Sequence, residues 1–267
     1  MGLVGVICDD DEQKYDFEAC ITCSLKGFPR SCHAPTSLIV AMSKNQEERK
    51  DAGLSATALL DCARKVILSQ EEEFYEKPSA YHARFRGTLT HLLIEEYGSG
   101  LEGVVQEQRV RKSLDVDGLQ VEITGKPDWI DVNRKLIVDY KSCVSLNRKP
   151  INAGKPKDGH ESQVNIYRWL VAGGINMVTN EVVDYDIELG GILYISMEGS
   201  RKVPVRIWSL DETEEFLRDR LRPHLEYKQT KRLPPILSNE KGERSYLCNY
   251  CALREACDAR EELRNLE

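Results

Sequence analysis

Long apolar runs are missing from this 267-residue sequence: none approaches the roughly 20 residues that a membrane-spanning helix requires. Its start is acidic and contains cysteine, unlike the basic and then apolar pattern of a secretory signal. A cytoplasmic protein with no membrane partner is therefore expected. Internal repeats and low-complexity tracts are absent too, which removes solenoids, arrays and disordered linkers. Positive charge is short: 37 Lys and Arg stand against 44 Asp and Glu, a formal net charge of -7. A protein that coats DNA by neutralising phosphates is usually basic, so that class is disfavoured. An enzyme acting on DNA is not, because metal-holding carboxylates add to the acidic count while a local groove stays positive.

What is present is a core-forming composition, 41% apolar and 30% charged, too much of both for a disordered chain. The length suits one α/β core with a small appendage. Nine cysteines are many for a chain in reducing conditions, where structural disulfides are rare, so metal ligation is the default. Cys8, Cys20, Cys23 and Cys32 sit at the start, Cys248, Cys251 and Cys257 at the end, and Cys62 and Cys143 stand alone between them.

The first forty residues lack helical or alternating periodicity and promise little core of their own, so a metal is expected to supply what packing lacks. The charged stretch Ser43 to Lys50 then leads into Leu54 to Leu60, read as linker and opening helix of the main domain. Phe85, Leu89, Leu92, Leu93 and Glu96 fall at three- and four-residue spacings, predicting a helix over 83–96 with His91 near its middle. Extended segments are predicted over 104–110, 119–124 and 136–140, separated by Asp-Gly and Asn-Arg turn signals. A helix over 161–172, a strand pair at 191–196 and 203–208, and a charged helix over 211–228 follow, before Pro234-Pro235 halts helix formation. Two basic runs, Arg109-Val110-Arg111-Lys112 and Arg148 to Lys157, are candidates for a DNA-facing groove, with solvated surface charge the alternative for either.

The densest chemistry lies in Gly125-Lys126-Pro127-Asp128-Trp129-Ile130 and, after a turn, Ile137-Val138-Asp139-Tyr140-Lys141. Side chains alternate along a strand, so Asp139 and Lys141 share one face while Tyr140 points away. If the strand carrying Asp128 pairs with this one, two carboxylates and a lysine converge, as a hard divalent cation and an activated water require. Asp128 and Asp139 are then the anionic ligands of Mg²⁺ or Mn²⁺, and the Tyr140 carbonyl is a further ligand. Lys141 orients or deprotonates the attacking water and steadies phosphate charge. Surface carboxylates and a solvated lysine at strand ends are the alternative.

These residues resemble the motif of the PD-(D/E)xK nucleases, and two flanking motifs resemble the RecB-like exonuclease branch. Arg86-Gly87-Thr88-Leu89-Thr90-His91 matches its helical histidine, and Gln163-Val164-Asn165-Ile166-Tyr167 its Gln-x-x-x-Tyr helix. The resemblance implies a restriction-endonuclease-like α/β fold, a mixed sheet flanked by helices, with His91 as a further metal ligand through a neutral imidazole nitrogen. It also implies that Gln163 and Tyr167, four apart on one helix face, reach the scissile phosphate or the substrate strand. Packing is the alternative for Tyr167.

Cys248-Asn249-Tyr250-Cys251-Ala252-Leu253-Arg254-Glu255-Ala256-Cys257 supplies three thiolates, one short of a complete site. Leu54 to Arg64, with Cys62, resembles the amino-terminal cysteine helix of the iron–sulfur exonucleases of CRISPR spacer acquisition and of related helicase-nucleases. By that resemblance Cys62, Cys248, Cys251 and Cys257 hold a [4Fe-4S] cluster that staples the ends of the domain together; zinc in the same thiolates is the runner-up. Cys143 matches no motif position and reads as structural. The CRISPR-associated members usually lack the segment before Leu54, where Cys8, Cys20, Cys23 and Cys32 form an irregular zinc site in which His33 can replace Cys8 or Cys32.

The expected organisation is a zinc module over 1–45 and a nuclease domain over 50–267. The implied activity is a Mg²⁺- or Mn²⁺-dependent deoxyribonuclease working on single-stranded DNA ends. Its setting is CRISPR adaptation, or stand-alone repair, recombination or phage DNA processing, with CRISPR-adaptation or DNA-repair proteins as partners. A catalytically idle DNA-binding or inhibitor module that keeps only the fold is the reading from another class. The intact Asp128, Asp139, Lys141 and His91 weigh against it.

Overall fold

The structure, a computed structural model, describes residues 2–26, 34–47, 54–98, 100–239 and 241–264. Its strands are β1 (Gly2–Ile7), β2 (Lys14–Asp16), β3 (Leu54–Ser55), β4 (Glu73–Glu76), β5 (Val104–Gln106), β6 (Val110–Val116), β7 (Leu119–Gly125), β8 (Trp129–Asp131), β9 (Leu136–Ser142), β10 (Ala172–Asn176), β11 (Val182–Asp184), β12 (Leu189–Ser196) and β13 (Gly199–Val205). Its helices are α1 (Phe17–Leu25), α2 (Thr36–Glu47), α3 (Ala56–Leu60), α4 (Ala63–Glu71), α5 (Pro78–Gly98), α6 (His160–Val171), α7 (Leu210–Thr230) and α8 (Arg254–Arg264). Two units divide the chain: residues 1–52, 61–85 and 223–267 form one, residues 53–60 and 86–222 the other.

The second unit holds two five-stranded sheets, ordered β11-β10-β6-β7-β3 and β13-β12-β9-β8-β5. β6 and β7 form a hairpin closed by Asp117 and Gly118, both at left-handed φ (55° and 84°), as a two-residue hairpin turn demands. β8 runs antiparallel to β9 through the turn after Asp131, with Trp129 opposite Val138, so the strand pairing on which the carboxylate argument depends is present. β12 lies parallel to β9, and the crossover between them passes through α6, β10 and β11. A parallel pair cannot be joined by a tight turn, and this one is reached by an excursion of more than forty residues from Ser142 to Leu189.

Helix α6 packs against β6, β7, β9, β10 and β12, and Val164, Asn165, Ile166, Tyr167, Trp169 and Leu170 are all buried. A helix buried over most of its surface needs its buried polar groups satisfied. Asn165 accepts from the Trp208 amide at 2.8 Å and donates to the Glu161 and Arg206 carbonyls at 3.0 and 2.9 Å. At the carboxyl end, Lys112 Nζ donates to the Trp169 carbonyl at 3.1 Å and to that of Ala172, and lies over the Trp169 ring. The cation therefore complements the negative end of the helix dipole. The run from Arg109 to Lys112 is accordingly not a free DNA-facing stripe: Lys112 points inward, and Arg111 pairs with Glu122 across the hairpin at 3.3 Å. The run from Arg148 to Lys157 stays largely exposed.

In the first unit β1 pairs antiparallel with β2 and parallel with β4, and α1 and α2 cover it. Leu3, Val6, Ala34, Leu38, Ile39, Met42 and Tyr81 are buried together, with Phe17, Ile21, Phe74 and Phe85 packed against them. The first forty residues thus contribute to more core than their lack of periodicity predicts. The reason is that Phe74, Tyr81 and Phe85, from distant sequence, complete this core.

Candidate active site

Asp128 precedes β8, and Asp139, Tyr140 and Lys141 lie within β9. Both carboxylates are buried, Asp128 at 6% exposure and Asp139 at 1%. Tyr140 donates its amide to Asp128 Oδ2 at 2.6 Å. Neither oxygen of Asp139 accepts a hydrogen bond of regular geometry, although Lys141 Nζ stands 2.7 Å from Oδ2. A carboxylate so placed is held up by burial above all, against the pull of Lys141, and its pKa rises to about 6.

From α5, His91 points between the strands. Its Nε2 is 3.1 Å from the Tyr140 carbonyl, and its Nδ1 is 3.2 Å from Asp128 Oδ1 and 3.4 Å from Glu107 Oε1. Asp128, and then Glu107, push the imidazole pKa up to about 10 on the protein's own charges, against the opposing effect of burial. Glu107 is drawn the other way: burial raises its pKa, but His91 and Lys126 outweigh that and hold it below the usual value. One ligating atom each from His91, Glu107 and Asp128 lie within 4.8 Å of one another, close enough to share one ion. The chemistry of this set, two carboxylates and an imidazole, with the buried Asp139 held by Lys141 nearby, fits a hard divalent cation.

Gln163 and Tyr167 face this site from α6. Gln163 Nε2 donates to the Tyr167 hydroxyl at 2.8 Å, and burial followed by the charges of Asp139 and Asp128 keeps that phenol well above its usual pKa. The close approach of α6 depends on Gly125: a Cβ there would meet Leu170 Cδ1 at 2.4 Å and Tyr167 Cε1 at 3.0 Å. Lys141 and Gln163 also line an open groove of about 160 Å³ with Thr57, Leu60, Asp158, Gly159 and His160.

His91, Asp128, Asp139, Tyr140, Lys141, Gln163 and Tyr167 are thus gathered in one region of the second unit. Glu107 and Lys126 join them, in ion-pair contact with each other, and neither was singled out as a site residue by sequence reasoning. Glu107 belongs to no spacing pattern; its only local signal is an acid inside an otherwise extended segment, at a left-handed φ of 50°.

None of the described cysteines forms a disulfide. Cys62, Cys248, Cys251 and Cys257 all fall in the first unit and are partly buried. Burial raises the Cys251 thiol pKa, with Cys62 adding to the rise. Buried Arg64 ties this region together, donating to the Pro234 and Cys257 carbonyls at 3.0 and 3.1 Å and pairing with Glu261 at 2.8 Å. Cys8 follows β1, and Cys20 and Cys23 lie on α1, with Cys23 exposed; Cys32 and His33 are outside the described residues. Cys143 is buried just beyond β9, its amide donating to the Ile195 carbonyl at 2.8 Å.

Buried Asp128 ahead of β8, buried Asp139 on β9, a lysine two residues further on and a flanking helix are the parts of this site, and residues 101–258 match the model of the PD-(D/E)XK nuclease superfamily. The chain belongs to that superfamily, with the mixed-sheet restriction-endonuclease-like fold its members share. Among curated proteins none matches the chain. Of solved structures, "Crystal structure of SSO0001" is similar at 18% identity and a TM-score of 0.55, covering 83% of this chain and 94% of that one. A phage-related exonuclease from Haemophilus somnus 129PT is similar at 14% identity and a TM-score of 0.41, over 79% of this chain and 94% of that one. Among the described residues no helix is long and apolar enough to cross a membrane.

Proposed function

We propose that this chain is a Mg²⁺- or Mn²⁺-dependent deoxyribonuclease that digests single-stranded DNA from its ends. The observation that carries the reading is Asp139, a carboxylate at 1% exposure with no regular hydrogen bond on either oxygen, set against Lys141 and near Asp128 and His91. Burying a carboxylate that has a lysine beside it but no regular hydrogen bond is costly, and cation binding offsets that cost. His91, Asp128, Asp139 and the Tyr140 carbonyl are the proposed ligands. A bound divalent ion supplies Lewis acidity and a nucleophilic water at neutral pH.

The chain's own groups do the rest. Lys141, with one side on Asp139 and the other on the groove, holds the attacking water and steadies charge on the phosphate. Gln163 and Tyr167 act as one hydrogen-bonded pair against the substrate strand. The resemblance to the RecB-like branch supports a single-stranded substrate, and the open groove beside Lys141 and Gln163 gives a strand access to both side chains.

A [4Fe-4S] cluster on Cys62, Cys248, Cys251 and Cys257 is also proposed. Each thiolate of a cubane binds a different iron, so the sulfurs need not approach as donors on one ion do. A zinc on Cys8, Cys20, Cys23 and Cys32, within a module over 1–45, is proposed from the Cys-x-x-Cys spacing alone, since the described thiols Cys8, Cys20 and Cys23 do not gather within reach of one ion. CRISPR adaptation or DNA repair, in the cytoplasm, is the proposed setting, supported by the RecB-like motif order and by thiols suited to a reducing compartment.

End-labelled linear single-stranded, linear double-stranded and circular single-stranded DNA, each with Mg²⁺, Mn²⁺ or EDTA, test the activity. Expected are short products from the linear single strand alone, abolished by EDTA. No cleavage of any substrate with either metal would overturn the reading, and cutting of the circle would replace exonuclease by endonuclease action.

A further inference from the structure

Glu107 is not accounted for by the four proposed ligands, yet it sits against one of them. Its side chain is 7% exposed, its backbone is held at φ 50°, and its amide donates to the Asp128 carbonyl at 3.4 Å. A left-handed conformation at a non-glycine residue persists only where the surroundings impose it. Both carboxylate oxygens already face a donor: Oε1 is 3.4 Å from His91 Nδ1, and Oε2 is in ion-pair contact with Lys126.

His91 meets oxygen on both sides of its ring, Tyr140 O at 3.1 Å from Nε2, and Asp128 Oδ1 and Glu107 Oε1 at 3.2 and 3.4 Å from Nδ1. A ring-nitrogen lone pair cannot rest against a carbonyl oxygen at that distance unless a proton or a cation lies between them. A cation at Nε2 would share the Tyr140 carbonyl, and the proton must then stay on Nδ1. If Asp128 Oδ1 is taken up by the ion, the acceptor left for that proton is Glu107.

We propose that Glu107 is a positioning residue, a carboxylate that holds the proton of His91 on Nδ1 so that Nε2 is presented beside the Tyr140 carbonyl, with Lys126 balancing its charge. Partners of this kind fix the tautomer and orientation of metal-bound histidines in general. The proposal rests on the reading of His91 as a metal ligand. Lys126 keeps Glu107 ionised and turned inward, so the pair forms a bracket between β5 and the residues that lead into β8.

Mn²⁺ affinity of the full-length protein, read by electron paramagnetic resonance of the free ion, is measured for wild type, Glu107→Gln, Glu107→Asp, Glu107→Ala and His91→Ala. The His91 tautomer is read in parallel by long-range ¹H–¹⁵N correlation on histidine-labelled, Mg²⁺-loaded protein. Because glutamine still offers an acceptor oxygen at the same reach, Glu107→Gln should bind within about 3-fold of wild type and keep the Nδ1-protonated form. Alanine, and aspartate with its shorter reach, should weaken binding by roughly 10–100-fold and mix the tautomers.

Weaker binding by Glu107→Gln than by Glu107→Asp would show that charge rather than reach matters, making Glu107 a ligand and overturning the proposal. Unchanged affinity in both Glu107→Ala and Glu107→Asp would overturn it as well. If Glu107→Ala does not fold, the order of the Gln and Asp variants decides alone. Wild-type affinity in His91→Ala would sink the ligand reading itself, an outcome distinct from any failure at Glu107.

Discussion

The amide of Tyr140 donates to Asp128 Oδ2 at 2.6 Å, so the first motif carboxylate also fastens the strand that carries the second. Asp128 is therefore both a chemical and a structural residue. Asp128→Asn retains an acceptor for that amide and is expected to lose cleavage while folding normally. Asp128→Ala leaves a buried N–H unsatisfied, a loss of about 1–3 kcal/mol. Urea unfolding in EDTA measures the difference; equal stability of the two variants would show that the hydrogen bond carries no weight.

Asp139 is expected to trade stability for activity. Its folded pKa of about 6 lies above the 3.8 of a free aspartate, so its contribution to metal-free stability is lost as pH rises through that interval. Asp139→Asn removes the buried charge, while Lys141, 22% exposed, can turn to water. Cleavage should disappear, and in EDTA at neutral pH the melting temperature should rise by roughly 2–4 °C, the effect of about 1 kcal/mol in a chain of this size. A lower melting temperature would mean that the Lys141 pair outweighs desolvation.

His160 supplies a pH dependence of opposite sign. Burial first, then Lys141 and Lys157, depress its pKa from 6.5 to about 4, and its Nδ1 is 2.8 Å from the Tyr194 hydroxyl. Between those values the unfolded chain takes up a proton that the folded one refuses, so stability falls as pH drops from 6.5 towards 4. His160→Gln should flatten this part of the melting-temperature profile relative to wild type. Parallel profiles would show that His160 titrates normally.

The cysteines separate into two testable sets. Anaerobically purified protein should be brown, and Cys62→Ser should bleach it as fully as Cys251→Ser, because loss of one thiolate destabilises the cluster. Cys23→Ser should remove about one zinc and leave the iron, by elemental analysis. This substitution is the cleaner probe, since deleting residues 1–45 would also strip Leu3, Val6, Leu38, Ile39 and Met42 from a buried core. A Cys62→Ser protein that stays brown moves the fourth ligand elsewhere, and unchanged zinc in Cys23→Ser dissolves the proposed zinc site.

By itself the sequence determined the elements whose signals are local: the α6 helix, the Asp117-Gly118 turn, and the strand register that sets Asp139 and Lys141 on one face; the strand before that turn, expected over 104–110, is instead β6 over Val110–Val116. The spacing of side chains along a helix or strand is a property of the backbone, so such patterns survive into the fold. Tertiary structure alone decided that Glu107 would stand between His91 and Lys126, because a residue outside any periodic motif shows nothing of its distant neighbours. It decided equally that Lys112 would cap α6 instead of facing DNA, since a lysine's long stem lets the same charge serve surface or interior according to what packs around it. The first-unit core followed the same rule: Leu3 and Val6 share it with Leu38, Ile39 and Met42 and also with Phe74, Tyr81 and Phe85, which arrive some seventy residues later along the chain.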